Sequence, residues 1–314
     1  MKKITAAVCI MMILTALVFC GCSTPPDTSQ DPVDVQNPST DTQNPPADTD
    51  NPPEEGDNPP DDVQTPPETS EPEITEVSVG SIKEFLDAIG PDTVITLEPG
   101  NYNLSESLDE IWAEEGEMWN VNHPYVQIRE CYDGLQLLIQ NADNLVFNGG
   151  TEDFADTEIV TVPRYATVLS FYQCDNVEMK GLTIGHTDYV SCAGNVLDFF
   201  ACNDVKLNNM DIYGCGLFGI GAYRDCGNIA VSSSNIRDCS DGPLWLVGGT
   251  GTYEFTNCRL TGSWGGGYYE SSDASVLRFV ECEFGESESN KWYFNEEAEF
   301  VDCVWSEITQ YPEY

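Results

Sequence analysis

The chain of 314 residues holds only two histidines, His123 and His186. In "IGHTDYVSC" His186 stands two residues before Asp188. An imidazole and a carboxylate thus share one turn, the pairing on which general acid and base catalysis draws. Three more groups are candidates for such chemistry. Asp238 would bring a second carboxylate to His186, and Asp198 with Arg224 would join an acid to a fixed positive charge. Each residue also has a plainer reading, as part of an ordered turn or an ion pair, and the sequence leaves both open. Metal chemistry has less behind it. No Cys-x-x-Cys spacing and no Asp-x-Asp-x-Asp-Gly loop occurs, so no cofactor is implied and calcium is left without an identified site.

Binding chemistry has separate candidates. Trp245, Trp264, Tyr268 and Tyr269 lie toward the C-terminus, the last three within the glycine-rich "SWGGGYY". Exposed rings on a rigid wall suit sugar stacking, with acidic residues accepting hydrogen bonds from hydroxyls. The same rings would also serve as core. His123 falls in a stretch with Trp112, Trp119 and Tyr125 that reads either as a groove wall or as an irregular first coil.

What positions these groups is a repeat. "FTNCRL", "FVECEF" and "FVDCVW" begin at Phe255, Phe279 and Phe300. With the cysteine relaxed to any small or apolar residue, the series runs Phe147, Met179, Leu207, Val231, Phe255, Phe279, Phe300. Five residues on stand Ile184, Ile212, Ile236, Leu260, Phe284 and Trp305. A second phrase runs in phase: "CDNVEM", "CNDVKL" and "CGNIAV" from Cys174, Cys202 and Cys226. Its Asn, Asp and Gly pairs are turn formers and the alternation after it reads as strand. Units of about 24 residues with no room for an ordinary helix predict one turn of a β-solenoid each. Equivalent residues then sit about 4.8 Å apart on parallel strands.

That register makes a prediction about charge. The outward column before the core series reads Glu178, Lys206, Ala230, Glu254, Arg278, Glu299, and its adjacent charges alternate in sign. A second column reads Asp211, Asn235, Arg259, Glu283. Opposite charges on neighbouring strands are favourable. The cysteines of the same alignment (Cys174, Cys202, Cys226; Cys215, Cys239; Cys258, Cys282, Cys303) are expected to be buried thiols acting as small apolar residues.

With these repeats and the opening "SIKEFLDAIGPDTVITLEPGNYNL", the chain resembles the right-handed parallel β-helix family of the pectin-lyase-like superfamily, from about residue 77 to 310. The resemblance implies an all-β fold, a right-handed single-stranded parallel β-helix, with a short helix from Ile82 to Ile89 capping its N-terminal end. For an enzyme of that kind it implies polysaccharide chemistry on one face. Hydrolases there use clustered aspartates, and lyases an Arg or Lys base beside calcium-binding acids. The hydrolase-like motifs Asn-Thr-Asp and Gly-His-Gly are absent, and "GHT" is the nearest approach.

Ahead of the domain, Lys2 and Lys3 precede an apolar run from Ile4 to Phe19, too short to span a bilayer and read as a secretory signal. It ends in "FCGCS", which resembles a lipobox with Gly21 at the cleavage position and Cys22 as the lipid acceptor. Residues 23–76 contain no Lys, Arg or aromatic residue and repeat "NPPADTD", "NPPEEGD", "NPPDDVQ". Paired prolines forbid a coiled coil, so this is an acidic, extended stalk. The expected plan is a signal peptide over 1–21, lipidated Cys22 and stalk over 22–76, and the β-helix over 77–314. The stalk carries 15 of the 54 acidic residues and the leader two of the 12 basic ones, which leaves the domain a net charge of −29. Such a balance argues against nucleic acid, anionic lipid and, without calcium, a polyanionic substrate.

The reading favoured is a monomeric, lipid-anchored module exposed outside the cell membrane, binding a polysaccharide or a surface protein without catalysis. The alternative is a carbohydrate-active lyase, hydrolase or epimerase. Convergence of His186, Asp188, Asp198 and Arg224 on one groove would favour the enzyme.

Overall fold

The computed structural model describes residues 73–187, 193–214, 217–262, 268–270, 275–286, 293–294 and 298–307. The leader, Cys22 and the proline-rich stretch lie outside these residues. The chain enters as a strand, Thr75–Val79, and a helix, α1 (Ile82–Ala88), whose N-cap Ser81 accepts from the Glu84 amide. Ile82, Phe85 and Leu86 are buried, and the Phe85 ring meets Phe147 edge-on at 5.1 Å. The expected capping helix is present, one residue shorter than read.

The strands then wind into a solenoid with three walls. The first wall carries the core series: Thr93–Leu97, Leu145–Asn148, the start of Glu178–His186 and of Val205–Tyr213, Ile229–Ser232, Thr252–Thr256, Val276–Val280 and Ala298–Val301. The second wall follows within each coil, as in Thr157–Thr161, Asn235–Cys239, Arg259–Gly262 and Glu283–Glu286. The third includes Leu169–Tyr172, Leu197–Phe200, Phe218–Tyr223 and Gly242–Val247. Pairing between coils is parallel, and the register agrees with the sequence columns throughout. Phe147, Met179, Leu207, Val231, Phe255, Phe279 and Phe300 are successive partners. So are Ile184, Ile212, Ile236, Leu260, Phe284 and Trp305. Within the core Phe255 stacks on Phe279 at 5.1 Å and Phe279 on Phe300 at 5.3 Å, contacts that add to simple burial.

The repeated cysteine has a local task. Between the first and second walls the chain turns at a single residue with positive φ, among them Ser233, Asn257, Glu281 and Asp302. The next side chain points inward and closes the corner. Ser234 Oγ donates to the Ser232 carbonyl at 2.7 Å, and the thiols of Cys258, Cys282 and Cys303 donate to the carbonyls of Thr256, Val280 and Val301 at 3.4, 3.4 and 3.5 Å. Cys174 and Cys202 do the same at the corner after the third wall, reaching Tyr172 and Phe200 carbonyls at 3.5 and 3.4 Å. These cysteines are free thiols, and burial pushes the Cys226 thiol above its ordinary range. Cys215 lies outside the described residues.

The stretch from residue 104 to 140 departs from the repeat. It holds two helices, α2 (Leu104–Glu115) and α3 (Glu117–Asn122), then an antiparallel hairpin of Val126–Cys131 with Gly134–Gln140. Trp119 is fully buried and stacked on His123, which reaches Asp87 of α1 at 3.2 Å. The hairpin's second strand is the first member of the third wall, and its first strand covers that wall's edge.

The charge columns are formed with one difference. Arg278 lies between Glu254 at 3.0 Å and Glu299 at 3.1 Å, and Arg259 reaches Glu283 at 3.4 Å. Glu178 is in register with Lys206 but takes its ion pair from Lys180 of its own strand, at 3.8 Å. Arg278→Glu places three carboxylates in one stack, whereas Lys206→Glu breaks no ion pair among the described residues. We expect Arg278→Glu to lower the melting temperature by about 2–4 °C at low salt, with the loss shrinking as salt screens it. Lys206→Glu is expected to shift it less. Equal shifts in thermal melts of the two variants, independent of salt, would contradict this register.

Candidate functional site

The residues singled out for acid and base chemistry do not converge. His186 ends a strand in which Ile184 faces the core. Two residues on, alternation turns His186 inward as well, and it is fully buried. Its Nε2 lies 2.8 Å from the Ala166 carbonyl and so carries the proton and donates it, while Nδ1 has no partner among the described residues. Burial holds its pKa below the ordinary imidazole value, so it is neutral. Gly214 does stack against it, since a Cβ there would come within 2.6 Å of the His186 amide nitrogen. Asp238, however, is taken by Arg237, whose Nη1 lies 2.6 Å from its carboxylate. The same guanidinium grips Asp211 through Nε at 2.9 Å and Nη2 at 2.7 Å, and lies over the Tyr213 ring. Asp188 lies outside the described residues. Arg224 is exposed at a turn with φ of 40° and forms no ion pair among the described residues, so the Asp198–Arg224 pair is not formed.

Asp198 is where the chemistry collects. It stands on the outward face of the third wall, in register with Ser170 on one side and Gly221 on the other. Nevertheless only 7% of it is exposed. Asn195, in the segment leading into the same strand, donates Nδ2 to its Oδ1 at 2.7 Å and also reaches the Tyr223 hydroxyl at 2.7 Å. Thr167 donates its hydroxyl to Oδ2 at 3.0 Å. The Asn195 carbonyl oxygen is itself fixed by the Phe218 amide at 3.0 Å. Gly221 is required here, because a Cβ would stand 2.3 Å from Asp198 Oδ1 and 2.8 Å from the Tyr223 hydroxyl. Burial outweighs these hydrogen bonds and pushes the Asp198 pKa up to about 6. Burial, and then the Asp198 charge, push the Tyr223 phenol above its usual range.

Asp198 and Thr167 lie in a groove of about 530 Å³, a volume ordinary for small-ligand sites. One flank is the hairpin, with Arg129, Gln136 and Gln140. The other is formed by Tyr172 and Phe200, the first two members of an aromatic column that composition alone did not single out. Tyr172, Phe200 and Tyr223 are successive partners on three coils, and the Phe200 and Tyr223 rings stack at 4.6 Å, 11° from parallel. Tyr172 is 43% exposed. Farther along, Trp245 is the partner of Gly221 and packs against the Phe218 ring at 4.9 Å. Tyr268 continues the Trp245 column and Tyr269 continues that of buried Leu246, while Trp264 lies outside the described residues. The sequence held one signal for the column. An aromatic residue precedes each of Cys174, Cys202 and Cys226 by two or three positions. Among the described residues no group of three His, Cys, Asp or Glu side chains could hold a metal.

A three-walled parallel solenoid with a polar and aromatic groove on one wall is a β-helix protein. Residues 119–284 match the family described as right handed beta helix region, and the chain belongs to that family. No curated protein sequence matches it. Among solved structures it is similar to Escherichia coli YbhC, at 13% identity over 78% of this chain and 74% of that one, with a TM-score of 0.45. It is also similar to the Agl-KA catalytic domain, at 12% identity over 68% of this chain and 41% of that one, with a TM-score of 0.31. Likenesses this loose say nothing about what this chain does.

The burial of Asp198 gives a stability signature. Its pKa is raised on folding, so between about pH 4 and pH 6 the folded state keeps a proton that the unfolded chain releases. Stability therefore falls across that window and the loss is complete above it. The contribution is roughly 3 kcal/mol. Denaturant unfolding of the parent and of Asp198→Asn at several pH values measures it. The gap between the two should move by about that amount in favour of Asp198→Asn as pH rises from 4 to 7. A constant gap would mean that Asp198 is not buried as described.

Proposed function

We propose that this protein binds carbohydrate along the third wall and does not cleave it. The observation that carries the reading is the column of Tyr172, Phe200 and Tyr223 running beside Asp198 and the amides of Gln136 and Gln140. Sugar rings present an apolar face to aromatic rings and hydroxyls to amides and carboxylates, and both kinds of partner are fixed here by stacking and hydrogen bonds. A raised carboxyl pKa also suits a general acid, which keeps hydrolysis in view. Glycosidic hydrolysis by the usual route takes two carboxyl groups, and Asp198 is the one carboxylate among the described groove residues. Binding is the better-supported reading.

A glycan array on the purified protein, paired with assays for new reducing ends and unsaturated products, tests it. We expect binding without product, weakened about tenfold by either Tyr172→Ala or Phe200→Ala. Product formation would overturn the non-catalytic reading, and binding untouched by both variants would place the site elsewhere.

We further propose that the domain is held at the outer face of the cell membrane by lipid on Cys22, with residues 23–76 as spacer. The support is the "FCGCS" junction after a short apolar run and the proline repeats that follow it. Cys22→Ser should release the protein to the medium or leave an unprocessed precursor in membrane fractions. Processing and retention like the parent would rule the anchor out.

A further inference from the structure

Asp198 is an acid without a countercharge. Among the described residues its two oxygens meet neutral donors, Thr167, Asn195 and the Tyr223 hydroxyl. It takes part in no ion pair among the described residues, and neither does Arg129, the basic side chain lining the same groove. The other ionisable groups around it are accounted for. Tyr223, from the neighbouring strand, is held as a neutral phenol. His186, behind the loop that carries Thr167, donates to the Ala166 carbonyl and is neutral. Asp133 of the hairpin turn accepts from the backbone amides of Arg164 and Tyr165. A carboxylate taken out of water without a cation is costly to keep. With Thr167, Asn195 and the Tyr223 hydroxyl as donors, the carboxylate keeps acceptor capacity for a further donor. Gly221 leaves that side of the carboxylate uncovered by any side chain of its own.

Two features indicate the chemistry that suits this carboxylate. The domain carries a net charge of −29, which concentrates cations at its surface. Tyr172 and Phe200 line the groove with the carboxylate, and aromatic rings attract a cation as well as an apolar sugar face. Resting on the carbohydrate-binding reading of this groove, we propose that its ligand is a glycan with a free, protonated amine. The ammonium meets Asp198 and the sugar ring lies against Tyr172 and Phe200.

Titration calorimetry on the purified protein with three oligosaccharides of equal length and linkage tests this: glucosamine, N-acetylglucosamine and glucose oligomers. The glucosamine oligomer should bind at least about tenfold more tightly than the other two, as expected for a charge-assisted contact. Asp198→Asn should abolish that preference and leave the weaker stacking, while Phe200→Ala weakens all three. A second measurement needs no variant. Near pH 6 the glucosamine oligomer should drive a proton off Asp198, seen as a binding heat that depends on the buffer's ionisation enthalpy, and the glucose oligomer should not. Equal binding of the three sugars would overturn the amine assignment and leave the groove reading standing. Binding of none of them, with an empty glycan array, would overturn both. A preference that survives in Asp198→Asn would assign the amine to the general surface charge. Displacement by a lysine-rich peptide at equal potency would make this a peptide site, against the proposal.

Discussion

One backbone constraint underlies the fold. In successive coils a single residue turns the chain from the first wall into the second, at φ of 63° for Gly181, 52° for Asn209, 50° for Ser233, 52° for Asn257, 54° for Glu281 and 52° for Asp302. Side chains of L residues adopt this region at a cost of about 1 kcal/mol or more, and only one of the six is glycine. A longer turn relieves the residue but lengthens its coil, as residues 149–156 do between Leu145–Asn148 and Thr157–Thr161. Because the corner is one residue in each of these six coils, the strands on both sides stay in phase and the core columns meet. At four of the six the next residue, Ser234, Cys258, Cys282 or Cys303, carries a hydroxyl or thiol that ties down the carbonyl exposed by the bend. Leu182 and Met210 fill that place with apolar side chains. The cysteines of the repeat are thus hydrogen-bond donors of a size that fits inside the corner.

The groove depends on a departure from that regularity. Were residues 104–140 another plain coil, the third wall would present a flat row of side chains. The hairpin returns antiparallel instead and raises Arg129 and Gln136 beside Ser170 and Tyr172, giving the wall a flank. The depth comes from Asn195 and Thr167, which lie outside the strands and lean onto Asp198 from two different coils. Regular stacking supplies the aromatic column, and irregular segments supply the polar contacts.

This division decides what could be read from the sequence. Columns repeat, so the pairings Phe255–Phe279 and Glu254–Arg278 were legible as spacing and sign. The inward position of His186 was legible too, from Ile184 two residues before it, whereas its nearness to Asp188 in the sequence does not fix which way either side chain faces. Asp198 was visible only as a carboxylate with Arg224 a coil away. Its burial requires Asn195 and Thr167, whose positions follow from loops with no repeat, and Gly221, whose lack of a side chain signals nothing until its neighbour is known. The helices α2 and α3 and the hairpin could not be read as such, because nothing in their period relates them to the coils.

The alternation of charge along the first wall bears on how such a chain can grow. A duplicated coil inserted beside its parent would find its own apolar residues above and below and a corner of the same length, so the core would accept it. Its outward charges would meet identical charges. Copying is therefore free inside the solenoid and opposed at its surface until one of the two copies changes sign. The sequence Glu254, Arg278, Glu299 is the pattern such a history leaves: coils alike within and unlike without.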